Sequence, residues 1–129
     1  MSLFGAIDTS ASALTAGRLW LNLISNNLAN VDTTVASGGV AYREEEPVFA
    51  ARPSGGVAVV GIWQNPTAGP RIYQPGNPAA DAQGYVQGSN VDPAGQMVNV
   101  IAATRTYEAN VTVLNDEKME FQKGLSVIE

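Results

Sequence analysis

Few residues in this 129-residue chain could do chemistry, and the reason is what is missing: there is no histidine and no cysteine. That removes the usual acid/base of neutral pH, the commonest metal ligand, thiol chemistry and any disulfide framework. No serine can find a histidine base. What remains is the run Glu44-Glu45-Glu46, the lone Asp81, Lys118, and the two tryptophans Trp20 and Trp63. Side chains alternate along a strand, so at most Glu44 and Glu46 could share a metal or a proton. We read the run as a solvated edge face that blocks edge-to-edge pairing. Asp81 has no second carboxylate at a defined spacing and sits near proline turns, so it reads as a turn cap. Lys118 falls within an apolar stripe, where a lysine lays its stem along the seam and keeps its head in water. The tryptophans read as core or interface residues. The glycines form neither a dinucleotide-binding pattern nor a P-loop. Nothing here supports an enzyme, and the expectation is no cofactor, no metal and no small-molecule substrate.

Net charge is −5. It divides as zero over residues 1–31, −3 over 32–96 and −2 over 97–129. With no basic patch, nucleic acid is not an expected partner. The start Met-Ser-Leu-Phe-Gly lacks a basic leader region, and the longest nearly apolar run, 19–24, is broken by Asn22. Taken alone, these residues read as a cytoplasmic protein without a signal peptide.

Two terminal stretches organise the chain. Steps of three and four from Met97 give Val100, Thr104, Tyr107, Val111, Leu114, Lys118, Phe121, Leu125 and Ile128. Val100, Tyr107, Leu114, Phe121 and Ile128 recur every seventh residue, the mark of an amphipathic helix with a coiled-coil seam. Such a helix is roughly 45 Å long and needs a second long helix, from this chain or a neighbour. From Leu3 the same stepping gives one column of Ile7, Leu14, Leu21 and Leu28, and another of Leu3, Ser10, Gly17, Ile24 and Val31. Small residues crowd the first half of this helix, from Gly5 to Gly17, and permit close approach. Its second half carries Asn22, Asn26, Asn27 and Asn30, which together cost about 2–3 kcal/mol of helix propensity. Buried amides must be bonded and readily set register, so we expect these amides to meet partners on other helices.

The expected fold is therefore α+β. Residues 1–31 form an N-terminal assembly helix, 32–92 a β-rich middle element with loops, and 93–129 a C-terminal assembly helix. The two helices form a coiled-coil-like pair or bundle. Within the middle, 32–39 reads as loop and an extended segment runs from Val40 through Phe49. Strands follow at 57–63, 71–73 and 84–87, with turns at the Pro-Gly clusters. Asp92 is the expected N-cap of the last helix, with Pro93 at its first position.

Ser25-Asn26-Asn27-Leu28-Ala29-Asn30, then Thr33 or Thr34, a glycine and Tyr42-Arg43, resembles the N-terminal motif of bacterial flagellar axial proteins. Met97-Val98-Asn99-Val100-Ile101, followed by Arg105-Thr106-Tyr107-Glu108-Ala109-Asn110, resembles their C-terminal motif. The segment from Tyr73-Gln74-Pro75-Gly76-Asn77-Pro78 through Asp81, Gly84-Tyr85-Val86 and Asn90-Val91-Asp92 resembles the C-type proximal members of the basal-body rod family. The B-type rod proteins are the nearest alternative. A soluble adaptor that binds a partner helix is a further one, and a small hydrolase using Asp81 and the glutamates the least supported. An acidic residue commonly precedes the methionine of the C-terminal motif; here it is Gln96.

The resemblance implies a structural part of the flagellar basal-body rod that transmits torque from motor to hook. It implies export through the flagellar type III apparatus without a cleaved signal peptide, and a periplasmic rod location in place of the cytoplasmic one. The implied partners are other rod proteins and copies of this chain. The expected assembly seam is Leu14, Leu21, Ile24 and Leu28 against Val100, Tyr107, Val111, Leu114 and Phe121. The expected polar interface is Asn26, Asn27, Asn30 and Asn110, with the Tyr107 hydroxyl. Because its asparagines make the first helix marginal alone, we expect residues 1–30 to be partly disordered in dilute monomer. Hydrogen exchange tests this, and full amide protection throughout that stretch would contradict it.

Overall fold

The computed structural model describes residues 3–127, so the expected helix start at Ser2 and the seam position Ile128 lie outside it, as does the side chain of Leu3. Helix α1 spans Leu3–Ala29 and helix α2 spans Pro93–Ser126. Between them lie β1 (Thr34–Ala36), β2 (Glu45–Ala51), β3 (Val57–Gln64), β4 (Arg71–Tyr73) and β5 (Tyr85–Gly88). The fold is α+β, as expected.

α2 begins where its cap dictates. The Asp92 carboxylate accepts from the N–H groups of Ala94 and Gly95, both at 3.1 Å, and Pro93 fills the first helical position. Two orphan donors are satisfied and the missing proline N–H costs nothing there. At 34 residues the helix is about 51 Å long, and it passes through Gly95 and Gly124 without a break.

The partner of α2 is α1 of the same chain. Phe4 meets Phe121, Ser10 meets Glu117, Tyr107 lies against Gly17, and Asn27 meets Gln96. As one number rises the other falls, so the helices are antiparallel and form an intramolecular hairpin. Gly17 permits this approach, since a Cβ there would sit 3.4 Å from the Tyr107 ring.

The ribbon β2-β3 packs lengthwise on α1, which is thereby flanked by α2 and by the ribbon. The ribbon is antiparallel, with a bulge where Val48 pairs Gly61 but Phe49 pairs Val59. Phe49 meets the edge of Trp20, their ring centres 6.2 Å apart. At the ribbon tip, Gly55 and Gly56 have φ of +94° and +88°. Gly56 rests directly on α1, where any Cβ would strike the Ser12 hydroxyl. That hydroxyl accepts from the Val57 N–H at 3.0 Å and donates to the Thr9 carbonyl at 2.7 Å. Asp8 and Arg52 approach to 3.2 Å beside it.

The other strands form an antiparallel sheet in the order β1-β5-β4. Val86 at its centre is fully buried. β1 lies inside the stretch read as loop, because three residues carry too little pattern to show a strand before its partner is known. The expected extended segment begins later than Val40, at Glu45. Asp81 is the turn cap its surroundings suggested. One oxygen accepts from the backbone N–H groups of Tyr85 at 2.9 Å and Gln83 at 3.0 Å, and the other takes Arg71 at 2.8 Å. The Tyr85 N–H, helped by the Ser37 side chain, Gln83 and Arg71, holds the Asp81 carboxyl below the ordinary carboxylate range. A lowered folded-state pKa adds stability above the ordinary aspartate value and loses it as pH falls through the lowered one. We expect Asp81→Asn to flatten that acid limb, read as the change in melting temperature between neutral and strongly acid buffer. Equal acid sensitivity in both proteins would refute it.

Candidate assembly interface

Only six apolar side chains are fully buried among the described residues: Ala16, Leu23, Ile24, Val86, Val91 and Ala103. So thin an apolar core leaves the polar groups to fix the geometry, and they do so at one knot.

Asn27 is 1% exposed. Its Nδ2 donates to the Glu45 carbonyl at 2.9 Å and to Gln96 Oε1 at 3.1 Å. Its Oδ1 accepts from the Tyr42 hydroxyl and from the Glu45 N–H, both at 3.0 Å. An amide has two donors and room for two acceptor bonds, and all four are in use. One side chain thus joins α1, α2 and the start of the ribbon. Burial, and then the charge of Glu45, raise the Tyr42 pKa, so its hydroxyl stays a donor at neutral pH.

The knot spreads from there. Gln96, also 1% exposed, donates to the Glu44 carboxylate. The Glu44 N–H donates to Asn90 Oδ1 at 2.7 Å, and Asn90 Nδ2 donates to the carbonyls of Asn65 at 3.1 Å and Thr67 at 2.6 Å. This corrects the reading of the glutamate run as one solvated edge. Glu46 is exposed and Glu45 accepts from Gln64 across the ribbon at 2.8 Å, but Glu44 is a member of the knot. An acidic residue at position 96 would face the Glu44 carboxylate; the glutamine amide donates to it instead.

Of the expected seam, Ile24 is fully buried, and Leu14, Leu21, Leu28, Val100, Tyr107, Val111, Leu114 and Phe121 are half-buried. In the column Val100, Tyr107, Leu114 and Phe121, Tyr107 meets Gly17 and Phe121 meets Phe4 of α1, while Val100 and Leu114 are half-buried. Its companion column lies one residue earlier than the stepping from Met97 placed it. Gln96, Ala103, Asn110 and Glu117 turn inward, while Met97 is 59% exposed and Lys118 is exposed. The period of seven was visible, but the inward column is polar or small, so apolar stepping slid to its neighbour. On α1 the more buried column is Ser10, Gly17 and Ile24, not that of the leucines.

The polar candidates separate. Asn27 finds its partner on the other helix of its own chain and has no hydrogen-bonding capacity left. Asn26 is exposed. Asn30 donates to the Asn26 carbonyl at 2.9 Å and accepts from Thr33 at 3.2 Å. Asn110 donates to the Thr106 carbonyl at 2.9 Å, and Asn22 is exposed. The outward stripe of α1, formed by Asp8, Ala11, Thr15, Arg18, Asn22, Ser25 and Ala29, carries two charges, one of each sign. A cleft of about 240 Å³ opens beside the helix pair, with Ala13, Ala16 and Gly17 as floor and Trp20, Phe49 and Thr106 among its walls. Among the described residues no cluster of acidic side chains could hold a metal ion.

Two family models match the chain. Residues 7–35 match the flagella basal body rod protein model, and residues 82–127 match the C-terminal model of the flagellar basal body rod FlgEFG proteins. These cover most of both helices and define the class, a flagellar axial subunit of the rod type. The relatives narrow it. The chain is 45% identical to the flagellar basal-body rod protein FlgC of Yersinia enterocolitica over 132 residues, covering 98% of each. It is 41% identical to FlgC of Escherichia coli O157:H7, again over 98% of each, and 37% identical to FlgC of Bacillus subtilis, over 98% of this chain and 99% of that one. The chain belongs to the flagellar basal-body rod protein FlgC family.

Because Asn27 bonds four groups on α2, β2 and the segment before β2, we expect Asn27→Ala to strand them all and lower stability by about 3 kcal/mol. Asn26→Ala, on the exposed side of the same turn, should change stability by less than about 0.5 kcal/mol. Urea denaturation of the two variants decides, and equal losses would remove the knot from its central place.

Proposed function

We propose that this chain is a load-bearing structural subunit of the bacterial flagellar basal-body rod, packed against other rod proteins and further copies of itself. The observation that carries the reading is the coincidence of family and shape. The two stretches that match rod-protein models contain most of α1 and all of α2, and the relatives named FlgC run nearly the full length of the chain. A torque-bearing shaft needs many weak contacts spread along long surfaces, with slippage prevented. The sparsely charged outer stripe of α1 and the exposed side of α2 offer such surfaces, and the Asn27 knot keeps each subunit from shearing internally. Open helical assembly needs two different faces that fit each other, which a closed symmetric dimer would consume.

We propose the finer parts of the reading on the strength of the family resemblance. The chain passes through the flagellar type III export apparatus without a cleaved leader and takes its place in the periplasmic part of the rod. It acts by binding and bearing load, without catalysis, cofactor or nucleic acid. The thin apolar core fits this route, since a chain with little buried surface unfolds at low cost.

The half-buried seam leucines test assembly. Leu21→Asp and Leu114→Asp should each prevent incorporation into rods and reduce swimming to the level of a strain lacking the protein. Rods that still contain either variant at normal amount would count against the seam.

A further inference from the structure

Two side-chain hydrogen bonds cross between α1 and α2 among the described residues, and they are unequal. At one end Asn27 and Gln96 form a bond in which every polar atom is served. At the other end Ser10 donates to Glu117 Oε1 at 3.1 Å, while Glu117 Oε2 is buried and has no hydrogen-bond donor. Both glutamic acid and glutamine stand in the same inward column, three heptads apart, and Glu117 has no ion pair among the described residues. A carboxylate oxygen sealed from water without a donor weakens the layer that holds it, and a well-packed apolar side chain of similar volume is often better there.

The surroundings differ in the same sense. Leu23, Ile24 and Ala103, the fully buried apolar residues of the pair beyond Ala16, lie on the Asn27 side. No α2 residue past Ala103 is fully buried among those described. Beyond Glu117 the helices meet through Phe4, 70% exposed, against Phe121. Regions with few buried contacts open at lower free energy than the rest of a fold.

We propose that Glu117 is a built-in release point. In the free chain the outer halves of the helix pair, residues 4–14 and 111–121, separate readily while the Asn27 end stays shut. Opening supplies Oε2 with water donors, and it bares Ser10 beside the cleft floored by Ala13, small residues that another helix could approach closely. This narrows the disorder expected over residues 1–30 to the outer part of that stretch and assigns it a cause.

Hydrogen exchange on the full chain at low concentration tests the proposal. Glu117→Met should raise protection of amides in 4–14 and 111–121 tenfold or more and leave those of 23–27 and 96–103 unchanged. Ser10→Ala, which removes the carboxylate's one donor, should lower protection at the same outer amides about threefold. The proposal is overturned if Glu117→Met leaves outer protection unchanged or lower, or raises both ends alike. It is equally overturned if Ser10→Ala leaves outer protection unchanged or raises it; this second variant decides even if the methionine variant fails to fold. The readout is the free chain's own dynamics, so it holds whether or not assembly proceeds through these helices.

Discussion

A single carboxamide holds this molecule in register. Asn27 spends two donors and two acceptor bonds on the backbone of Glu45, the hydroxyl of Tyr42 and the amide of Gln96. Apolar contact is non-directional and would tolerate sliding of one helix along another. A fully served buried amide does not, because any shift leaves several polar groups unpaired at once. Six fully buried apolar side chains among the described residues could collapse the chain without telling it which collapse is correct.

This division of labour suits a subunit whose larger surfaces face other subunits. Apolar residues that an isolated globular protein would hide stay outside: Val60, Ile62 and Trp63 on the ribbon, and Met97, Val98 and Ile101 at the start of α2. The chain belongs to a family of rod proteins, and under the proposed assembly these are the apolar residues left for contact with other subunits. Internal order comes from directed bonds, and the proposed assembly leaves cohesion between subunits to undirected ones.

Much of this was legible in the residues. Asp92-Pro93 marked the start of α2, the proline clusters marked the turns, and the heptads gave both helices and one column of their contact. Asp81 stood among prolines as a cap and proved to be one. Three things were hidden. β1 is too short to carry a pattern of its own. The inward column of Gln96, Ala103, Asn110 and Glu117 keeps the period of seven without the apolar character that advertises it. Glu44 looked like its two neighbours, and only the fold reveals that one of three identical side chains meets a buried amide. Chain motifs held the missing signal, since Asn27 and Tyr42 both stood within the stretch that resembled axial proteins.

The ribbon is fastened to α1 twice, by Ser12 to Val57 near its tip and by Asn27 to Glu45 near its base. These fixings are fifteen positions apart on the helix, about 22 Å along its axis. The ribbon therefore works as a gauge of helix length. Substitutions between residues 13 and 26 leave both fixings aligned, but one inserted or deleted residue rotates one fixing against the other by about 100°. At its exposed positions this stretch can change its letters, but nowhere can it change their number.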